Sequence, residues 1–361
     1  MCATSTSADR LLVVHEARVA ADELVERFLR LPVAKAMNLG TRAGFDRAVA
    51  LLAAQLRRAT GRADVDAVRE AIAVLDVDWA RTTAAERRRL VAEAMAAAGR
   101  ATAIVPARIE APFNDAAQEV VAAARTDARR GQRLAIGAEL NAVDRRVVAH
   151  VTSSQGNFVR DEYGRRIESF GEEARRIVAG GLEEGLGRDD LAEALEGAAR
   201  AALVDRAPFY WETVAASFIA QGRSYAQMSS YAEAGIRQYR IEAVLDEQTT
   251  NICRYLHGKT FSVADALRRF DRIEQLEDPE AIKQAMPWVR EAQDRETGRT
   301  RLYVDGAGGR TDLAEVTRSA MGTRDDRGDF RALSSDSALN EVGIGFPPYH
   351  GLCRTTTLAV V

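Results

Sequence analysis

The stretch LDEQTTNICRYLHGKTF, residues 245–261, decides how this chain closes, together with FPPYHGLCR at residues 346–354. The two clusters hold two of the three cysteines and two of the four histidines. Residues this scarce gather only if the fold uses them together. Cys253-x3-His257 and His350-x2-Cys353 offer two soft ligand pairs of the kind zinc takes, and also two thiols able to meet as a disulfide. Either arrangement requires the two segments to touch.

Immediately before the first cluster the apolar period is two. Tyr239, Ile241, Ala243 and Leu245 alternate with Arg240 and Glu242, which predicts a strand with one buried face over 237–245. The strand delivers Asp246, and with Thr249 and Thr250 this reads as an Asx-type turn that holds the cluster in shape. Upstream, 208–234 reads as the best-defined helix of the chain. Trp211, Val214, Ala215 and Phe218 lead its stripe, Tyr225, Met228 and Ala232 continue it, and Gly235 supplies a left-handed stop. After the second cluster, LAVV at 358–361 is a strand candidate for pairing with 237–245.

Asp246, Thr249, Cys253, Leu256 and Gly258 before an aromatic, closed by Pro347-Pro348-x-His350-x2-Cys353-Arg354, resemble the head-morphogenesis domain of phage Mu F-like minor head proteins. The likeness is most specific over 211–261 and 346–361. Where many such sequences carry further cysteines this chain has Thr250 and Thr355, and His257 is the candidate replacement for one lost ligand. A long stretch, about 262–345, also separates clusters that often lie closer together. The resemblance implies a structural virion protein present in multiple copies per particle. It would bind the portal protein and the major capsid or scaffolding protein, work in the host cytoplasm during assembly, reside in the phage head, and in some relatives leave with the DNA.

Composition sets the frame for this. At 361 residues and 47% hydrophobic, the chain is long enough for more than one core. The expected class is mainly α over the first two thirds with a small C-terminal α+β module: a helical region at 1–110, a second at 111–235, and the module at 236–361 with its insertion. No secretory or membrane-spanning segment is read from the sequence, and a cytoplasmic start is expected. Cys2 reads as an unpaired thiol. A net charge of −3 gives no global field for nucleic acid, which leaves only weak local DNA contact open. Lys35, Lys259 and Lys283 are the only lysines, so positive charge is almost all arginine. Runs such as 86–90 and 128–133 read as solvated helix faces.

The first 235 residues are alanine-rich with apolar positions three and four apart, a helical signature. Phe45, Ala48, Val49, Leu52 and Leu56 form one stripe. Leu90, Val91, Ala94 and Met95 form another, behind a capping box of Thr83 and Glu86. Pro106 and Pro112 place a joint at 105–112. Asn114 or Asp115 is then expected to cap a helix reaching about 130, and Asp189 or Asp190 one over 191–202. In the insertion, 264–276 reads as a helix broken by Pro279 and Pro287, and 299–310 as a hairpin. The remainder, including 326–330, reads as a loose surface excursion.

Three catalytic readings compete with a structural one. Gly258-Lys259-Thr260 imitates the end of a phosphate loop, but Cys253 stands where that motif needs glycine, and an extended segment follows instead of a helix. Cys253 with His350 has the composition of a thiolate and its base, without a companion oxyanion-hole sequence. Asp246 with His257 or His350 is an acidic and histidine set of the kind used in nucleases, and carboxylates in the insertion, Asp294, Glu296, Asp305, Asp325, Asp326 and Asp329, are numerous enough to consider a metal-dependent hydrolase or nuclease, which would make the chain a toxic effector. The structural reading places zinc on Cys253, His257, His350 and Cys353, worth on the order of 10 kcal/mol in small modules. A Cys253–Cys353 disulfide, roughly 4 to 5 kcal/mol in the chain-entropy model, and a pair of buried thiols with no tie are its alternatives.

Overall fold

A computed structural model describes residues 7–30, 39–207, 209–295, 298–306 and 308–361; Cys2, Lys35 and Glu296 fall outside the described residues. The fold is mainly helical over its first two thirds and ends in small antiparallel sheets. The first helices are α1 (Ser7–Arg30), α2 (Arg42–Leu75), α3 (Ala84–Thr102), α4 (Val105–Thr126), α5 (Ala142–Glu184), α6 (Arg188–Ala199) and α7 (Tyr210–Glu233). There follow β1 (Gln238–Glu242), α8 (Asn251–Leu256), β2 (Thr260–Ser262), α9 (Val263–Ile273), α10 (Pro279–Ala285), β3 (Arg290–Gln293), β4 (Thr300–Gly306), β5 (Gly309–Arg318), β6 (Asp329–Ala332), α11 (Asp336–Glu341) and β7 (Thr356–Val360). The chain forms two compact units, one from residues 1–31, 53–112 and 158–211, the other from 32–52, 113–157 and 212–361.

The first unit is a helical core. Val65, Val68, Ala71 and Leu75 of α2 share it with Val91, Ala94 and Ala98 of α3, Phe170, Ala174 and Val178 of α5, and Leu191 and Leu195 of α6. Each set recurs at three- and four-residue spacing, so each helix contributes one stripe. The Thr83–Glu86 capping box forms as read. Within this core Asp64 receives Arg206 at 2.6 and 3.1 Å and the Tyr163 hydroxyl at 2.6 Å, and all three groups are buried or nearly so.

In the second unit α7 differs from its expected form. Every residue from 218 to 231 is buried, so the helix is core on all sides instead of along one stripe. Most of its polar residues are bonded internally, although the buried Ser224 hydroxyl has no partner. Gln227 binds the Thr357 and Thr356 hydroxyls, and the Tyr231 hydroxyl donates to Thr357 O at 2.8 Å. These bonds seat β7 along α7. Gly235 stops the helix at φ +72°. The chain then enters β1, which lies between β2 and β7, all antiparallel, with Tyr239 opposite Ala359 and Ile241 opposite Thr357. The expected pairing of the C-terminal strand with 237–245 is present.

Three expectations fail. The helix is not broken at 105–112, since α4 begins at Val105 and runs through Pro112, although the chain does pass from one compact unit to the other after Pro112. Pro106 lies in the first turn, where its missing N–H has no partner to lose, and the helix accepts the single lost bond at Pro112. Asn114 and Asp115 are consequently interior to α4 and cap nothing, and α6 is capped at Gly187, ahead of Asp189 and Asp190. The insertion is not a loose excursion. It carries α9, α10, α11 and a four-stranded antiparallel sheet in the order β3-β4-β5-β6. Leu302, Val304, Leu313 and Ala314 are buried in this sheet, and 329–332, read as loose, is its edge strand. The expected hairpin at 299–310 is the β4–β5 turn.

The run 84–131 is the one helical stretch among the described residues with length and apolar content enough to cross a membrane. Val91, Ala98, Phe113 and Val121 of this run are buried within the protein, whereas Ile104 is exposed.

Candidate metal centre

Building the site starts at the end of β1. Ala243 leads into a turn at Asp246, whose Oδ1 accepts the Gln248 N–H at 3.0 Å and the Thr249 hydroxyl at 2.8 Å. This is the expected Asx-type turn, and two arginines complete it. Arg354 reaches Oδ1 at 3.1 Å and Arg42 reaches Oδ2 at 3.0 Å. Burial opposes ionisation of Asp246, but the Thr249 hydroxyl, Arg354 and the Gln248 amide together hold its carboxyl below the ordinary value. Asp246 is thus saturated with donors and acts as a joint between the two clusters.

Thr250 then caps α8, its hydroxyl accepting from the Cys253 N–H at 3.4 Å. All six residues of α8 are buried, Arg254 included. Arg254 donates to Thr249 O at 3.0 Å, Asp246 O at 2.6 Å, Thr323 O at 2.7 Å, and Asp326 O. It anchors the insertion's 319–328 segment to the turn. Nothing in its sequence neighbourhood marked this arginine, because arginine supplies nearly all the positive charge of the chain.

The second cluster comes from the loop between α11 and β7. Pro347 and Pro348 are joined by a cis peptide bond, Leu352 has φ +58°, and His350 and Cys353 converge on one point. His350 Nε2 lies 3.0 Å from Cys253 Sγ, and Cys253 Sγ lies 3.8 Å from Cys353 Sγ. Cys253, His350 and Cys353 present their ligand atoms within 4.8 Å of one another, the one such metal-capable group among the described residues. Both thiols are free and buried. A disulfide needs about 2.05 Å between sulfurs, so that alternative is not formed.

His257 is not part of the group. Spacing of four from Cys253 would share a helix face, but α8 ends at Leu256 and His257 turns out of it, with ψ 131°. Its Nδ1 accepts the Ala243 N–H at 3.2 Å. Gly258 follows at φ +81° and bonds Ile241 O, which closes β1 onto the loop. The positions that do lie beside the cysteines are Thr250 and Thr355, whose hydroxyls help to hold the Cys253 thiol below its ordinary value.

Electrostatically the pair shares a proton unequally. The hydrogen bond from Cys353 holds the Cys253 thiol below its ordinary value despite burial, whereas burial pushes Cys353 well above its own. Beside them, burial lowers the Arg223 guanidinium to about 10. Arg223 donates to the carbonyls of Leu39, Arg354 and Thr355 at 2.9, 3.1 and 2.6 Å, with its charge over the Phe45 ring. Two thiolates on tetrahedral zinc at ~2.3 Å would stand about 3.8 Å apart, the separation found here. His350 Nδ1 lies 2.6 Å from Gly351 O. Donation there leaves the Nε2 lone pair for a ligand, the usual outer-shell device at metal-bound histidines.

As a nucleophile, Cys253 has a base at hydrogen-bond distance but only 3% exposure, and Cys353 has none. A sulfur so enclosed presents no face to a substrate. In the insertion the carboxylates are spread among arginines: Asp305 with Arg290, Asp294 with Arg301, and Asp326 and Asp329 with Arg318.

Comparison of the chain with protein-family models, with curated proteins and with solved structures gives no match in any of the three.

Proposed function

We propose that the protein is a structural minor head protein of a phage or prophage, acting in head morphogenesis at the portal vertex. In this reading the helices of 1–235 bind the portal or shell, and the C-terminal module is a compact anchor tied by one zinc ion on Cys253, His350 and Cys353. The observation that carries the reading is the convergence of the two clusters, a hundred residues apart, on one buried Cys–His–Cys group. The joint at Asp246 and Arg354 supports it from the same motif. Both features tie chain to chain, as a structural component of an assembly requires. Among the described residues of the insertion the carboxylates are dispersed and paired with arginines, which does not favour the effector alternative.

Co-expression with the portal protein of the same genetic element tests this. Light scattering after size exclusion is expected to find both chains in one ring-sized complex. A well-formed portal ring that never retains this protein would contradict the head-assembly role.

A further inference from the structure

We infer that the Thr250 hydroxyl supplies the fourth ligand of this centre, so that the ion is held by two sulfurs, one imidazole nitrogen and one neutral oxygen. The inference rests on the metal-centre reading above. Four ligands are expected of a closed site, and three protein groups are already in place. The vertex that sequence spacing offered to His257 is not reached by it, since that ring is bonded to the Ala243 amide.

Thr250 is the side chain that touches two of the three ligands. Its Oγ1 lies 3.3 Å from His350 Nε2 and accepts the backbone N–H of Cys253 at 3.4 Å. An oxygen and a nitrogen sharing a tetrahedral zinc ion at ~2.0 Å each would be about 3.3 Å apart. Two edges of the tetrahedron therefore have the right length, the sulfur–sulfur edge at 3.8 Å and the nitrogen–oxygen edge at 3.3 Å. The sulfur–nitrogen edge at 3.0 Å is shorter than the roughly 3.6 Å of a zinc site. That shortening is what a thiol–imidazole hydrogen bond imposes, and a metal ion between the atoms would lengthen it. Thr250 is also fixed in place, since the same hydroxyl caps α8.

The assignment has a chemical consequence. Two thiolates neutralise a divalent ion, and a neutral imidazole and hydroxyl leave the centre without net charge. A hydroxyl is a weaker and harder ligand than a thiolate, so the centre binds its ion less tightly than a three-thiolate site and exchanges it more readily.

Cobalt(II) titration of the reduced full-length protein tests this, because sulfur-to-cobalt charge-transfer absorption counts thiolates. Wild type is expected to show two thiolates on one tetrahedral ion. Thr250→Cys is expected to raise that absorption by about half and to tighten binding at least about tenfold, a third thiolate having joined. Thr250→Ser retains the hydroxyl and keeps wild-type affinity, whereas Thr250→Val loses about tenfold or more. If wild type binds cobalt but Thr250→Cys still reports two thiolates, the fourth vertex lies elsewhere and the inference is overturned while the centre stands. If wild type binds no cobalt with both thiols reduced, the metal-centre reading itself fails. Should Thr250→Val not fold, the cysteine and serine variants decide the matter alone.

Discussion

Replacing Arg254 with methionine is expected to release the 319–328 segment from the Asp246 turn. Methionine keeps the apolar length of the side chain and removes only the guanidinium, which is fully buried and donates to four carbonyl oxygens. A hydrogen bond to a charged group contributes about 1.5 to 3 kcal/mol, but the four share one cation and do not add. Breaking such a buried network costs about 3 to 5 kcal/mol, so a local loss of about 4 kcal/mol is expected. Hydrogen exchange read by mass spectrometry is the suitable assay, because the loss is local and the chain has two units that need not unfold together. Four kcal/mol corresponds to about a thousandfold faster exchange in peptides covering 246–256 and 319–328. Peptides from α3 and α6 in the other unit are expected to be unchanged. A change of less than about tenfold in the first two peptides would refute the view that Arg254 is the anchor.

Other perturbations address separate elements. His150 is buried in edge contact with Tyr225 and Phe270, its Nε2 has no hydrogen-bond partner, and burial lowers its pKa to about 4 against a weaker opposing pull from Glu274. The unfolded chain then binds the proton more readily. The stability from neutral His150 is complete above pH 6.5 and is lost as pH falls from 6.5 to about 4, at most about 3 kcal/mol. His150→Phe is expected to flatten that part of a denaturation profile, and a profile identical to wild type would contradict the assignment. Asp64→Ala strands the buried Arg206 and is expected to cost about 3 to 5 kcal/mol, with Asp64→Leu/Arg206→Met recovering most of it in chemical denaturation; no recovery would mean that the pair is not what the loss measures. Leu352 is an exposed residue at φ +58°. Leu352→Gly is therefore expected to be neutral or stabilising and Leu352→Val destabilising by about 1 kcal/mol, an order that thermal melting checks directly.

The parts of this structure legible in the sequence are those where one residue type had one use. Scarce cysteines and histidines placed 253, 350 and 353 together, and the change of period at 237–245 marked β1 and its pairing with the C-terminal strand, though not with β2. Asp246 followed from turn chemistry alone. His257 misled because spacing of four implies a shared face only while a helix continues, and α8 ends one residue too soon. The four-stranded sheet was hidden for a different reason. β4 and β5 carry only two buried apolar residues each and β3 and β6 none, and their charges cancel across the sheet. Arg301 pairs with Asp312, and Arg299 and Arg331 pair with Glu315. A polar stretch whose charges are matched across strands looks, in one dimension, like a solvated loop. Arg254 was missed because nothing in NICRYL, which also carries Asn251 and Tyr255, sets it apart from the many other arginines of the chain.

The most direct test of the central claim is native mass spectrometry of the protein purified without chelator, beside Cys353→Ser. The account predicts a wild-type mass increased by one zinc ion less the two thiol protons it displaces, and loss of that increment in the variant and after chelation. A wild-type protein that stays folded at its apo mass, with Cys253 and Cys353 both alkylated rapidly under native conditions, would contradict it.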